Sequence, residues 1–229
     1  MKNTSIKSLV LSLLFGLLVS SLHAHALWIH TSATTELGKT HAFKVYYADY
    51  HEDAIEDVAD WYSDVKDFEL WLISPSGKRS KLNKVARKDH FEGSFVAEEK
   101  GEYQLQISHT AKVLKGTTAY QFNASAQVWV GKDKADLTEQ TELMLSRNPK
   151  SSKFNVSYKG EPLPEATINI LGPDNNSLDF TTDKKGKAKA DINGSGKYFA
   201  EVTMTEKLKK DDPSGLKAIW KCATQVVEM

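Results

Sequence analysis

Residues 101–110 read GEYQLQISHT, and their alternation decides the fold. Successive side chains of an extended chain point to opposite faces, so Tyr103, Leu105, Ile107 and His109 share one face. The same period of two runs through HAFKVYYADY (41–50), DFELWLISPSGK (67–78) and YQFNASAQVWVG (120–131), and no long helical period competes with it. Val, Ile, Tyr, Phe and Trp dominate these runs, as suits a pleated, half-buried surface, and SPSGK (74–78) supplies a tight turn between two strands. In DFELWLI, Phe68, Leu70 and Leu72 take one face and Trp71 and Ile73 the other, which predicts apolar cover on both sides. Phe68 or Leu70, with Trp71 and Tyr103, is expected in the environment of a first core. Short antiparallel strands at this spacing predict a β-sandwich.

The text changes character near Gly131. GKDKADLTEQ (131–140) is polar and linker-like, and a second strand series starts at TELMLS (141–146) and closes with CATQVVEM (222–229). Gly, Pro, Asn and Asp turns separate these strands. The expected fold class is therefore all-β, with two Ig-like or transthyretin-like β-sandwich domains at residues 25–131 and 136–229. Ala166, Ile168, Ile170 and Tyr198 are expected to organise the second core. One acidic stretch, DYHEDAIEDVADWYSDVK (49–66), interrupts the first series and predicts a long loop with one helical turn. Its seven carboxylates between Asp49 and Asp64 fit a solvated loop better than a cation site, and the spacing of a calcium-binding loop is missing.

Composition narrows the function. Of 229 residues, 30 are Lys or Arg and 30 are Asp or Glu, so no net field draws the chain to nucleic acid. Cys222 is the single cysteine, which excludes an internal disulfide and a cysteine-clustered zinc site and fits a buried, inert thiol. Lys2 and Lys7 precede the apolar run LVLSLLFGLLVSSL (9–22) and the small residues of HAHA (23–26), the order of a secretory signal. The run falls short of the roughly 20 apolar residues of a comfortable span. The expectation is an exported, periplasmic protein with no stable membrane insertion once the signal is removed. Two cut sites compete: AHA (24–26) leaves Leu27 first, and LHA (22–24) leaves His25 first.

That choice matters because of HAHALWIH (23–30). Period two puts His25, Leu27 and Ile29 on one face and Trp28 and His30 on the other, so His25 and His30 do not share an ion on a regular strand. An N-terminal His25 offers amine and imidazole to one metal as a chelate ring, and one more imidazole completes a T-shaped set of three nitrogens suited to Cu2+ or Ni2+. His109 ends its strand in phase with the core and is the first choice of partner. His90 follows Asp89 in RKDHFEG (87–93), a pair that could itself face an ion. His41 stands in phase with Phe43, Val45 and Tyr47. The candidate metal ligands are His25, His109, His90 and His41, with His30 and His51 behind them.

Two resemblances extend this reading. GEPLPEATINI (160–170), TDKKGKA (182–188) and GKYFAEV (196–202) resemble the carboxypeptidase-regulatory-like, transthyretin-type sandwich, which implies a fold and little about function. HALWI (25–29), KVYYADY (44–50), WYSDVKDFELWLISPSGK (61–78) and GEYQLQISHTAKVLKGTTAYQFNASAQVWVG (101–131), in this order, resemble an uncharacterised family described as the periplasmic component of a cobalt or nickel uptake transporter. The resemblance implies handling of Ni2+, Co2+ or Cu2+ beside an inner-membrane metal transporter. It also places HALWI at the start of the folded domain, hence a cut after Ala24 and a signal peptide at 1–24. No nucleophile elbow, HExxH or Gly-rich phosphate loop is present, so the expected protein is not an enzyme. The alternatives are a non-catalytic adhesion or scaffold protein and, by analogy with the N-terminal histidine brace, a copper-dependent oxidative enzyme.

Overall fold

A computed structural model describes residues 25–50, 55–131, 141–147, 152–192 and 194–228. Residues 1–24, read above as a signal peptide, His51 and residues 132–140, read as a linker, lie outside the described residues. The fold is all-β. Its first half contains β1 (Ala26–Thr31), β2 (Thr34–Thr35), β3 (Thr40–Ala48), β4 (Leu70–Ile73), β5 (Arg79–Leu82), β6 (Val85–Ala86), β7 (Phe91–Val96), β8 (Gly101–Ala111) and β9 (Thr118–Val130). Its second half contains β10 (Leu143–Arg147), β11 (Lys153–Tyr158), β12 (Glu161–Pro162), β13 (Thr167–Leu171), β14 (Ser177–Thr181), β15 (Lys187–Lys189), β16 (Lys197–Lys207) and β17 (Ala218–Glu228). The acidic loop carries short 3-10 turns at Val58–Asp60 and Val65–Asp67.

Each half has a core, and one sheet serves both. That sheet runs β14-β13-β16-β17-β9-β8-β4-β5, with β2 beside β9. Its neighbours are antiparallel except at β9, where short β2 lies parallel and where β17, after the long excursion through the second half, returns parallel, pairing Cys222 with Phe122. The sheet β1-β3-β7-β6 covers one face: β1 packs on β9 and β17, and the Thr224 hydroxyl donates to the Leu27 carbonyl at 2.6 Å. The sheet β10-β11, with β12 and β15, covers the other face, where the Ser125 hydroxyl donates to the Leu145 carbonyl at 2.8 Å.

Alternation sorts the side chains between the two cores. Leu27, Ile29, Val45, Tyr103, Leu105, Ile107 and Phe122 fill the first. Ile168, Ile170, Tyr198, Phe154 and Val156 fill the second, with Ala166 packed at its border. Consecutive residues of one strand serve different cores: Cys222 belongs to the first and Ala223 to the second, and Phe199 and Ala200 divide likewise. Each fully buried Leu, Ile or Phe contributes roughly 1.5–3 kcal/mol of transfer free energy. On β4, Leu70 and Ile73 are buried, whereas Trp71 is half-buried beneath the Arg79 guanidinium, 4.1 Å from its ring centroid.

Turns fall where the sequence marks them. In SPSGK, Ser74 N–H donates to Lys78 O, and Gly77 N–H to Ser74 O. In TDKKGKA the Asp183 carboxylate accepts from the N–H groups of Lys185 and Lys187 at 2.8 and 2.9 Å. Gly186 has φ +67°, and a Cβ there would lie 2.4 Å from the Val156 carbonyl, so this turn needs glycine.

Candidate functional site

His25 lies at the threshold of β1, where the pairing of Ala26 with Ala48 sets it beside Tyr47, ring centroids 5.5 Å apart. Its Nε2 is 2.6 Å from Glu56 Oε1, with the imidazole 38% and the carboxylate 34% exposed. Glu56 is itself held. Ile55 bridges Ala48, and the indole N–H of buried Trp61 donates to the Glu56 carbonyl at 3.3 Å. Trp61 packs on Tyr47 at 5.6 Å. Burial, with the Glu56 charge added, pushes the Tyr47 phenol well above its ordinary value, so it stays neutral at physiological pH.

The Glu56 contact fixes what His25 can do. With Nε2 against a carboxylate, the nitrogen left for a ligand is Nδ1, which is nearer the backbone nitrogen of the same residue. In a chain beginning at His25, the α-amine and Nδ1 would close a six-membered ring on one metal ion. Glu56 would then stand behind the imidazole as carboxylates stand behind metal-bound histidines. This donor set suits the metals the sequence suggests.

The other candidates have different surroundings. His109 Nε2 is 3.3 Å from Asp64 Oδ1, both side chains being 16% exposed. Burial raises the Asp64 carboxyl, but the Lys112 N–H at 2.8 Å and the contact with His109 outweigh it, and the net shift is downward. His90 Nδ1 is 2.6 Å from Asp89 Oδ1. Its Nε2 is buried, 3.7 Å from Glu92 Oε2 and without a hydrogen-bond partner among the described residues. His41 is buried, with Nε2 2.7 Å from the Thr31 hydroxyl. That hydroxyl gives its proton to the Ala42 carbonyl, so His41 Nε2 carries a proton and donates to Thr31. Burial lowers the His41 pKa. His30 Nε2 accepts from Lys197 Nζ at 2.7 Å, and burial and the nearby Lys197 and Lys44 charges lower its pKa.

The four candidates are not gathered at one point. Tyr47, beside His25, meets Phe122 edge-on at 5.3 Å, and Phe122 is the ladder partner of His109. Among the described residues no group of three His, Cys, Asp or Glu side chains is placed to hold a metal ion. The α-amine of a processed chain is not a member of that set. Comparison of the sequence with known family models and with curated proteins gives no match.

Sequence reasoning passed over the partners of these histidines. Glu56 and Asp64 belong to the acidic stretch read as solvated, yet each meets a histidine from a distant strand. The signal was an excess of carboxylates beside buried Trp61, Val58 and Val65, since a purely solvated loop does not need large apolar anchors.

Proposed function

We propose that this chain is a non-catalytic, exported protein that binds one transition-metal ion, Cu2+, Ni2+ or Co2+, through His25 at the threshold of its folded body. In this reading signal peptidase removes residues 1–24 in transit to the periplasm, and the protein delivers or buffers its metal beside an inner-membrane transporter. The observation that carries the reading is the 2.6 Å contact between His25 Nε2 and Glu56, which leaves Nδ1 as the ring nitrogen that could chelate together with a freed α-amine. The metal is cargo, and the chain's task is to orient the donors. Glu56 sets the tautomer, Tyr47 lies beside the imidazole, and Trp61 holds the Glu56 backbone.

Proton competition follows from the donors. An ordinary α-amine titrates near pH 8, so affinity should fall as pH drops through neutrality. Calorimetric titration of protein starting at His25 with each of the three ions tests the proposal. Binding tighter than roughly 10 µM, about −7 kcal/mol, is expected for at least one ion. Weaker binding of all three rejects it.

A further inference from the structure

Glu201 lies on β16 between Asn169 of β13 and Thr224 of β17. Alternation places it on the same face as Phe199, toward the first core. Its Oε1 is buried and has no hydrogen-bond partner among the described residues. The ladder neighbours are committed elsewhere: the Thr224 hydroxyl donates to Leu27 O, and the Asn169 amide donates to Ser177 Oγ at 2.6 Å and Asp179 Oδ1 at 2.8 Å.

The titratable groups on that face do not compensate a charge at Glu201. Asp49, at the end of β3, acts on it with the same sign. Cys222 of β17 is fully buried, and burial holds its thiol neutral. Lys197, four residues back along β16, is turned to His30. Asp179, behind Asn169, is another acid. Burial first, and Asp49 second, raise the Glu201 carboxyl from 4.5 to about 7. Next to Asp49, the Tyr50 ring stacks on Phe199 with centroids 4.4 Å apart, and Phe199 meets Trp28 edge-on at 5.9 Å.

We propose that Glu201 is a proton-controlled latch: protonated, it lets the Asp49–Tyr50 turn rest on Phe199, and ionised, it repels Asp49 and loosens that turn from β16. An ionised Glu201 can regain solvation only if water reaches Oε1, and the surface that keeps water out carries Tyr50. Ala48, just before the turn, bridges Ile55, the neighbour of Glu56, so the latch would make the bracing of His25 firmer at mildly acidic pH. The latch itself is a property of the metal-free chain and stands whether or not metal binds.

Hydrogen exchange on metal-free protein tests it, expressed as protection factors so that the intrinsic pH dependence of amide exchange cancels. Between about pH 5.5 and about pH 8.5, protection at Ala48 and Tyr50 should fall about tenfold in the wild type and should lie below that of the β8 and β9 amides at both ends. In Glu201→Gln, a neutral isostere, it should be flat. In Asp49→Asn, the loss should shrink and what remains should move to lower pH, because removing the charge on Asp49 takes away the repulsion and lowers the Glu201 pKa. A wild type without pH dependence, or a Glu201→Gln chain that keeps it, overturns the proposal. Ala48 and Tyr50 amides as well protected as those of β8 and β9 also overturn it, since that would mark global rather than local opening.

Discussion

The two faces of the central sheet differ more than an alternating sequence suggests. On one face of β8, β9 and β17, Tyr103, Leu105, Ile107, Phe122 and Cys222 pack against β1 and β3 as an apolar core. On the other, Gln104, Gln106, Gln121, Asn123, Ser125, Lys221 and Gln225 are equally buried. These polar groups bond one another: Gln106 donates to Gln104 at 2.7 Å, Asn123 to the Cys222 carbonyl at 2.9 Å and Gln225 to Gln127 at 3.2 Å. Lys221, 1% exposed, places Nζ 2.8 Å from Glu142, 3.1 Å from Glu206 and 3.1 Å from Gln121. Lys159 completes the charge set at 2.8 Å from Glu206. One face is stabilised by area and the other by hydrogen-bonded polar groups, with Gln225 Oε1 left without a partner among the described residues. Loss of a partner is the failure mode of the second.

This contrast can be broken at several points. On the apolar face, Phe122→Ala should cost about 4 kcal/mol in urea unfolding, because it removes a ring that Tyr47 and Trp220 both contact. On the polar face, Lys221→Ala should cost about 3 kcal/mol by leaving Glu142 and Glu206 with Lys159 alone. Adding Glu142→Gln and Glu206→Gln to Lys221→Met should recover most of that loss, whereas no second change on the polar face should rescue Phe122→Ala. Equal recovery in both backgrounds would erase the distinction.

The pH response of Glu201 comes next. Its carboxyl is raised in the fold, so the native state keeps a proton that the unfolded chain releases near 4.5. The associated stability is fully present below that value and is lost as pH rises through about 7. The loss should approach about 3 kcal/mol in the wild type and vanish in Glu201→Gln, read from unfolding midpoints across that window. Smaller again, Gln106→Leu should cost about 2 kcal/mol by stranding the buried Gln104 carbonyl oxygen, and a cost near zero would show that the amide layer contributes only volume.

The strands were legible because period two is a local property. Tyr103, Leu105 and Ile107 sit inside as the alternation requires, and His25 and His30 take opposite faces of β1. The sharing of one sheet was not legible. Nothing in CATQVVEM reveals that it will lie parallel to YQFNASAQ about 100 residues earlier, since pairing partners are set by tertiary packing and not by local pattern. The polar face was hidden for a related reason: Gln104, Gln106 and Lys221 alternate as solvent-facing residues would. Their burial depends on what covers them. The histidines were visible as residue types, but their partners Glu56 and Asp64 lie 31 and 45 positions away in the chain.

The central functional claim turns on one atom, the α-amine of His25. Copper and nickel titrations should compare protein beginning at His25 with protein carrying one extra residue before it, both with Glu56 intact. The expected result is at least about tenfold weaker binding for the extended chain, roughly 1.4 kcal/mol. Equal affinity for the two chains would contradict the claim and move the site to side chains alone, with Asp89 and His90 the first pair to substitute.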